Sequence, residues 1–169
     1  MPESYDVFIA PSAVIHHTVN LGDGTKVWHH AVILEGASLG KNCTIGDAVS
    51  IGQRAILGDG CNLQHGATLA AGTVLGDYVF VGTNVSILDC KRPQLRQKDQ
   101  EVHAPCVIEE DVVIGCNAVI LPGIVVHQGA IIGAGSVVTR DVKAGVTVYG
   151  NPARQHWQVN AGRADRGAR

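Results

Sequence analysis

Aliphatic residues recur along this chain at a spacing of six: Ile9, Ile15, Leu21, Val27, Ile33, Leu39, Ile45, Ile51, Leu57, Leu63, Leu69, Leu75, Val81 and Ile87. An amphipathic helix would repeat at about 3.6 residues and a half-buried strand at about two, so neither explains the pattern. A second inward series lies four residues after the first and holds only small or β-branched side chains, among them Ala31, Ala37, Cys43, Val49, Ala55, Cys61 and Ala67. Glycine often follows the aliphatic residue directly, as at Gly22, Gly40, Gly58 and Gly76, which marks a turn. The repeating unit is therefore a short strand and a corner. Three such units close one triangular coil, and residues 18 apart then stack at roughly the 4.8 Å strand spacing. The fold class this predicts is all-β: a single-stranded parallel β-helix of hexapeptide repeats.

The rhythm stops at "ILDCKRPQLRQKDQEVH", residues 87–103. It is expected to resume with Val102, Ile108, Ile114, Ile120, Val126, Ile132 and Val138, partnered by Cys106, Val112, Ala118, Ile124, Ala130, Ser136 and Val142. From Ile87 to Val102 is 15 residues, which is not a multiple of six, so a segment loops out of the coil. Residues 88–101 form this projecting loop, which carries Lys91, Arg92, Arg96 and Lys98 as well as acids. The β-helix domain is expected to span residues 1–157, with Trp157 capping the last coil and a mobile tail over residues 158–169.

Composition narrows the chemistry. The 169 residues include 21 glycines and only 4% aromatics, so a core must be built from Val, Ile, Leu and Ala. A net charge of −2 recruits neither nucleic acid nor an anionic membrane, and no run of 18 apolar residues suggests a membrane span. No secretory leader is evident, and a cytoplasmic protein is expected. Five cysteines form no CxxC pair; Cys43 and Cys61, 18 apart, read as small fillers of one stacked column rather than as a disulfide.

The hexad run followed by "IGCNAVILPGIVVHQGAIIGAGSVVTRDV" and "VYGNPARQ" resembles the left-handed parallel β-helix acyltransferases. That resemblance supplies the left hand of the coil. It implies acetyl-CoA as acyl donor with no metal, and a homotrimer with active sites between subunits. "KVWHHAVILEGASLGKNCTIG" and "RQKDQ" further resemble bacterial N-acetyltransferases of nucleotide-linked 3-amino sugars, of the UDP-2-acetamido-3-amino-2,3-dideoxy-glucuronate type, which serve surface-polysaccharide biosynthesis. "LDCKRP" departs from the Thr-Asn and Asn-Pro-Arg pattern of those enzymes and leaves the sugar open.

Acetyl transfer to an amine needs a neutral nucleophile, donors for the developing oxyanion and an acceptor for the lost proton. Asp89, where coil gives way to loop, is one candidate acceptor; an Asp tying turn amides is the plainer reading. His65 is the other, since counting by 18 sets it between Asp47 and Thr83, although an exposed corner histidine needs no role. Lys91 and Arg92 suit an anionic sugar or diphosphate, and Asn84 joins them as substrate-binding. The resemblance assigns Ala134, Thr139, Arg140 and Arg154 to CoA. Other acceptors, a free sugar, amino acid or antibiotic, stay open. A γ-carbonic-anhydrase-like zinc enzyme or a structural β-helix are further readings; the first is disfavoured because no two histidines lie five apart.

Overall fold

A computed structural model describes residues 6–92 and 103–155. Its strands run from β1 (Phe8–Ile9) to β22 (Arg154–Gln155), nearly all of them two residues long. Each is short because the next two or three residues turn a corner. Positive φ recurs at these corners, at Gly60 (φ 67°) and Gly72 (φ 70°) but also at Tyr78 and Asn84 (both φ 56°). For a side-chain-bearing residue that conformation costs about 1 kcal/mol, and the ladders above and below hold it.

The strands fall into three faces of nine, seven and six strands. Through Val137–Val138 successive strands visit the faces in turn, so each pairs in parallel with the one a coil later, Phe8 opposite Lys26 and Ile9 opposite Val27, then onward in the same register; β22 closes the nine-stranded face antiparallel. The result is the left-handed parallel β-helix expected from the sequence. From Val27 onward both inward series are buried, including Ile33, Ile45, Leu63, Ile87 and Ile114 with Ala31, Cys43, Ala67 and Val85, whereas Ile9 in the first coil is half exposed. Among the described residues three hydroxyls are buried, and those of Thr25, Thr73 and Ser136 donate to the carbonyls of Gly40, Ala70 and Gly133. Cys43, Cys61 and Cys106 are free and buried, and burial pushes the Cys106 thiol up. They are core fillers.

Two places break the period. Pairings that span the loop join residues 33 apart, Leu75 with Ile108 and Ile87 with Ile120, where the other coils use 18, so 15 residues leave the coil. Ile87 lies on the seven-stranded face and Ile108 on the six-stranded face that follows it, which leaves no rung between them. Among the described residues the coil resumes at Cys106 and Ile108; Val102, expected to restart it, lies outside the described residues. The neck of the loop is a short antiparallel contact between Cys90 and His103, reinforced by the Ala104 N–H donating to the Asp89 carbonyl at 2.6 Å. The second break is a last coil two residues short, in which Val142 stacks on Val126 and takes the aliphatic place rather than the small one. Residues 93–102, Trp157 and the tail from 158 lie outside the described residues.

Candidate functional site

Each corner of the prism is a stack of turn residues, one per coil. The first corner joins the nine- and seven-stranded faces, the second joins the seven- and six-stranded faces, and the third closes the triangle. Each carries one histidine paired with a carboxylate. Their surroundings decide what each pair can do.

At the second corner the loop leaves the coil, and there His103 Nδ1 lies 3.1 Å from Asp89 Oδ2. The Asp89 side chain is only 19% exposed and that of His103 is 54% exposed. An ionised carboxylate can only accept, so the proton between them sits on Nδ1. Arg54, Gln53 and Pro105 border the same hollow. On the other side of the neck a groove of about 460 Å³ runs between Leu88, Cys90, Lys91, Leu121, Pro122 and Thr139. It is apolar along its walls and carries a cation at Lys91.

At the first corner His65 Nδ1 accepts the Asp47 N–H at 3.2 Å, with Asp47 Oδ2 at 3.4 Å. A ring nitrogen that accepts from an amide is unprotonated, so neutral His65 carries its hydrogen on Nε2. His65 therefore presents a donor, where a general base needs a lone pair. Its imidazole is 62% exposed, and Asn84 lies one coil on, its N–H donating to the His65 carbonyl at 3.0 Å. At the third corner His127 Nδ1 meets Glu109 Oε1 at 2.9 Å. The Gln128 N–H and the His127 side chain both hold the Glu109 carboxyl below the usual carboxylate range. The hollow beside it is lined by Asp77, Glu109 and Glu110, and three carboxylates repel an anionic ligand.

The residues expected from the sequence thus divide. Asp89, Lys91 and Thr139 share the second corner, with Arg92 exposed next to Lys91. Arg140 and Arg154 line one hollow at the end of the coil together with Lys143 and Asp141. His65 and Asn84 sit at the first corner, and so does Ala134, stacked against Gly115. The width of the seven-stranded face separates the two sets. His103 escaped the sequence analysis because its pairing with Asp89 crosses a loop; its only signal was its place at the point where the loop returns. Among the described residues, no three His, Cys, Asp or Glu side chains gather as a metal site would. No described helix is long and apolar enough to cross a membrane.

Residues 105–140 match the bacterial transferase hexapeptide family, a model of six repeats. By fold the chain is a left-handed parallel β-helix of hexapeptide repeats. Over 50 residues it is 58% identical to a 2,3,4,5-tetrahydropyridine-2,6-dicarboxylate N-acetyltransferase of Clostridium perfringens; the match covers 30% of this chain and 21% of that protein. The chain thus matches about a fifth of the length of the curated relative. A perosamine N-acetyltransferase from Caulobacter crescentus, solved with CoA and GDP-perosamine, is 25% identical over 91% of this chain and 58% of its own, with a TM-score of 0.56. A UDP-N-acetylglucosamine acyltransferase from Bacteroides fragilis shares the fold at a TM-score of 0.74 and 19% identity, over 92% of this chain and 71% of its own.

Proposed function

We propose that this protein is an acetyl-CoA-dependent N-acetyltransferase acting on the amino group of a nucleotide-linked amino sugar. The observation that carries the reading is the Asp89–His103 pair at the root of the loop, beside an apolar groove that begins at Lys91. The residues fit the acyl donor. The groove of Leu88, Leu121, Pro122 and Thr139 suits a thin, largely apolar arm, and Arg140, Lys143 and Arg154 offer cations to its phosphates at the coil end. The bound donor supplies an activated thioester. The Asp89–His103 pair takes up the proton that the amine loses as it attacks, with Asp89 holding the ring through Nδ1 and stabilising the imidazolium. The pair then returns the proton to the departing sulfur, so the dyad is regenerated.

Lys91 and Arg92 favour an anionic acceptor. The N-acetyltransferase with GDP-perosamine bound supports a nucleotide sugar. The resemblance between this chain and the 3-amino-sugar enzymes supports amine position three and a role in surface-polysaccharide biosynthesis. A second reading, a small dicarboxylate amine as acceptor, is favoured by the 58% identity to the tetrahydropyridine-dicarboxylate enzyme. We infer further that the active unit is a homotrimer, because the seven-stranded face separates Asp89 from His65 and Asn84 within one chain and a neighbouring copy can bring them together. Thiol release from acetyl-CoA, measured across UDP-, dTDP- and GDP-linked 3- and 4-amino sugars and dicarboxylate amines, tests the assignment. A nucleotide amino sugar is expected to exceed every simple amine in kcat/KM, and equal rates with all acceptors would overturn it.

A further inference from the structure

The nine-stranded face carries a slot that neither the base nor the donor groove uses. The residues directly after the inward aliphatics stack along its edge as Trp28, Gly46, Gln64 and Gly82, 18 apart. Gly46 has no choice: a Cβ there would stand 2.9 Å from the Leu63 carbonyl oxygen and 3.0 Å from the His65 nitrogen. Packing between coils therefore forces a bare floor between a tryptophan on one side and a glutamine on the other. Two strand spacings separate those side chains, roughly 9.6 Å, which is room for one flat ring laid against the indole. The hollow measures about 300 Å³ and is bordered by Trp28, Thr44, Gly46, Asp47, Gln64 and His65.

Its walls are specific. Trp28 is 39% exposed and is held from behind by Phe8, with ring centroids 5.3 Å apart, so one indole face is buttressed. Gln64 Nε2 donates to Asn62 Oδ1 at 2.7 Å, which directs its Oε1 away as an acceptor. His65 contributes an Nε2 donor, because its Nδ1 accepts the Asp47 N–H. A stacking surface with one donor and one acceptor at its rim is complementary to the edge of a nucleobase. The Asp47 carboxylate, 47% exposed at the same rim, repels phosphate. That excludes the diphosphate end of a nucleotide and admits its ring.

We propose that this slot binds the nucleobase of the acceptor, with Trp28 as its stacking surface and Gln64 and His65 reading its edge. The proposal rests on the nucleotide-sugar reading above. The adenine of the acyl donor has the same chemistry, but Arg140 and Arg154 hold the cations for that molecule at the far end of the coil. Trp28 stands beside β4 (Lys26–Val27), five strand spacings or roughly 24 Å from β19 (Ile131–Ile132) in that end.

The test is calorimetry of the full chain with UDP, dTDP, GDP, inorganic diphosphate and CoA. At least one nucleoside diphosphate is expected to bind well above inorganic diphosphate. Trp28→Ala is expected to weaken it about tenfold or more and Trp28→Phe much less, with CoA affinity unchanged. Thr44→Phe, which fills the slot from its side while leaving the indole packed on Phe8, is expected to do the same. Nucleotide affinity indifferent to both Trp28→Ala and Thr44→Phe would overturn the slot and leave the nucleotide-sugar reading standing. A loss of CoA affinity instead would assign the slot to the donor's adenine. No nucleotide binding at all, with thiol release to another amine intact, would remove both.

Discussion

His103 and His65 look alike in the sequence, each a histidine with an Asp to pair with. What separates them is which nitrogen each neighbour occupies. Asp89 takes the Nδ1 hydrogen of His103, whereas the backbone of Asp47 gives its own hydrogen to Nδ1 of His65. Replacing His103 by Gln or Asp89 by Asn should therefore lower kcat by about 10²- to 10⁴-fold, and the His103 variant should also lose the acid limb of its pH profile. His65→Gln, which keeps a donor, should retain most of kcat. Steady-state kinetics of the variants across pH decides this, and a larger loss at His65 than at His103 would reverse the assignment.

Glu109 gives a pH effect of known sign. The Gln128 N–H and His127 lower its folded pKa, so its stabilisation is complete above the unfolded value of about 4.5 and fades as pH falls through the lower folded value. Because the group is exposed, screening keeps the effect small and salt-sensitive. Thermal melts of wild type and Glu109→Gln should differ at neutral pH and converge at acid pH.

At the scale of the element, stability resides in stacking register. Gly58 cannot carry a side chain: a Cβ would sit 2.7 Å from the Gly76 carbonyl carbon and closer still to Asp77 Oδ1. Gly58→Ala should cost about 1–3 kcal/mol, enough to lower Tm by several degrees. At Gly135 nothing lies within 4 Å, so Ala there meets only the strain of φ +68° and should cost about 1 kcal/mol. Calorimetric melts of the two variants rank crowding against backbone strain. The same stacking explains why the loop is tolerated. A corner can admit 15 residues because the ladders on either side, Ile87 with Ile120 and Leu75 with Ile108, close across it.

For the whole molecule, the separation of Asp89 from Asn84 and His65 yields a prediction about assembly. Light scattering should give three times the 17.7 kDa chain mass. If the site is shared between copies, Asp89→Asn co-expressed with Asn84→Ala should recover a fraction of wild-type kcat that neither variant has alone. Activity of the mixture equal to the average of the two would place all these residues' work within one chain.

The hexad spacing by itself determined the coil, its three faces, its buried columns and the place of the loop, because a period-six pattern of aliphatic residues has one way to bury them all. Residues 18 apart could be set side by side from the sequence, which is why Asp47 and His65 were legible as neighbours. Val142 was misplaced because it lies at a break in the period, where counting by six no longer tracks the faces. Only the tertiary structure paired His103 with Asp89, since that contact crosses a loop whose length carries no register. Only it fixed which ring nitrogen each Asp addresses and showed an open hollow over Gly46 between Trp28 and Gln64. Those are matters of hydrogen-bond direction and of space between coils, and a one-dimensional pattern holds neither.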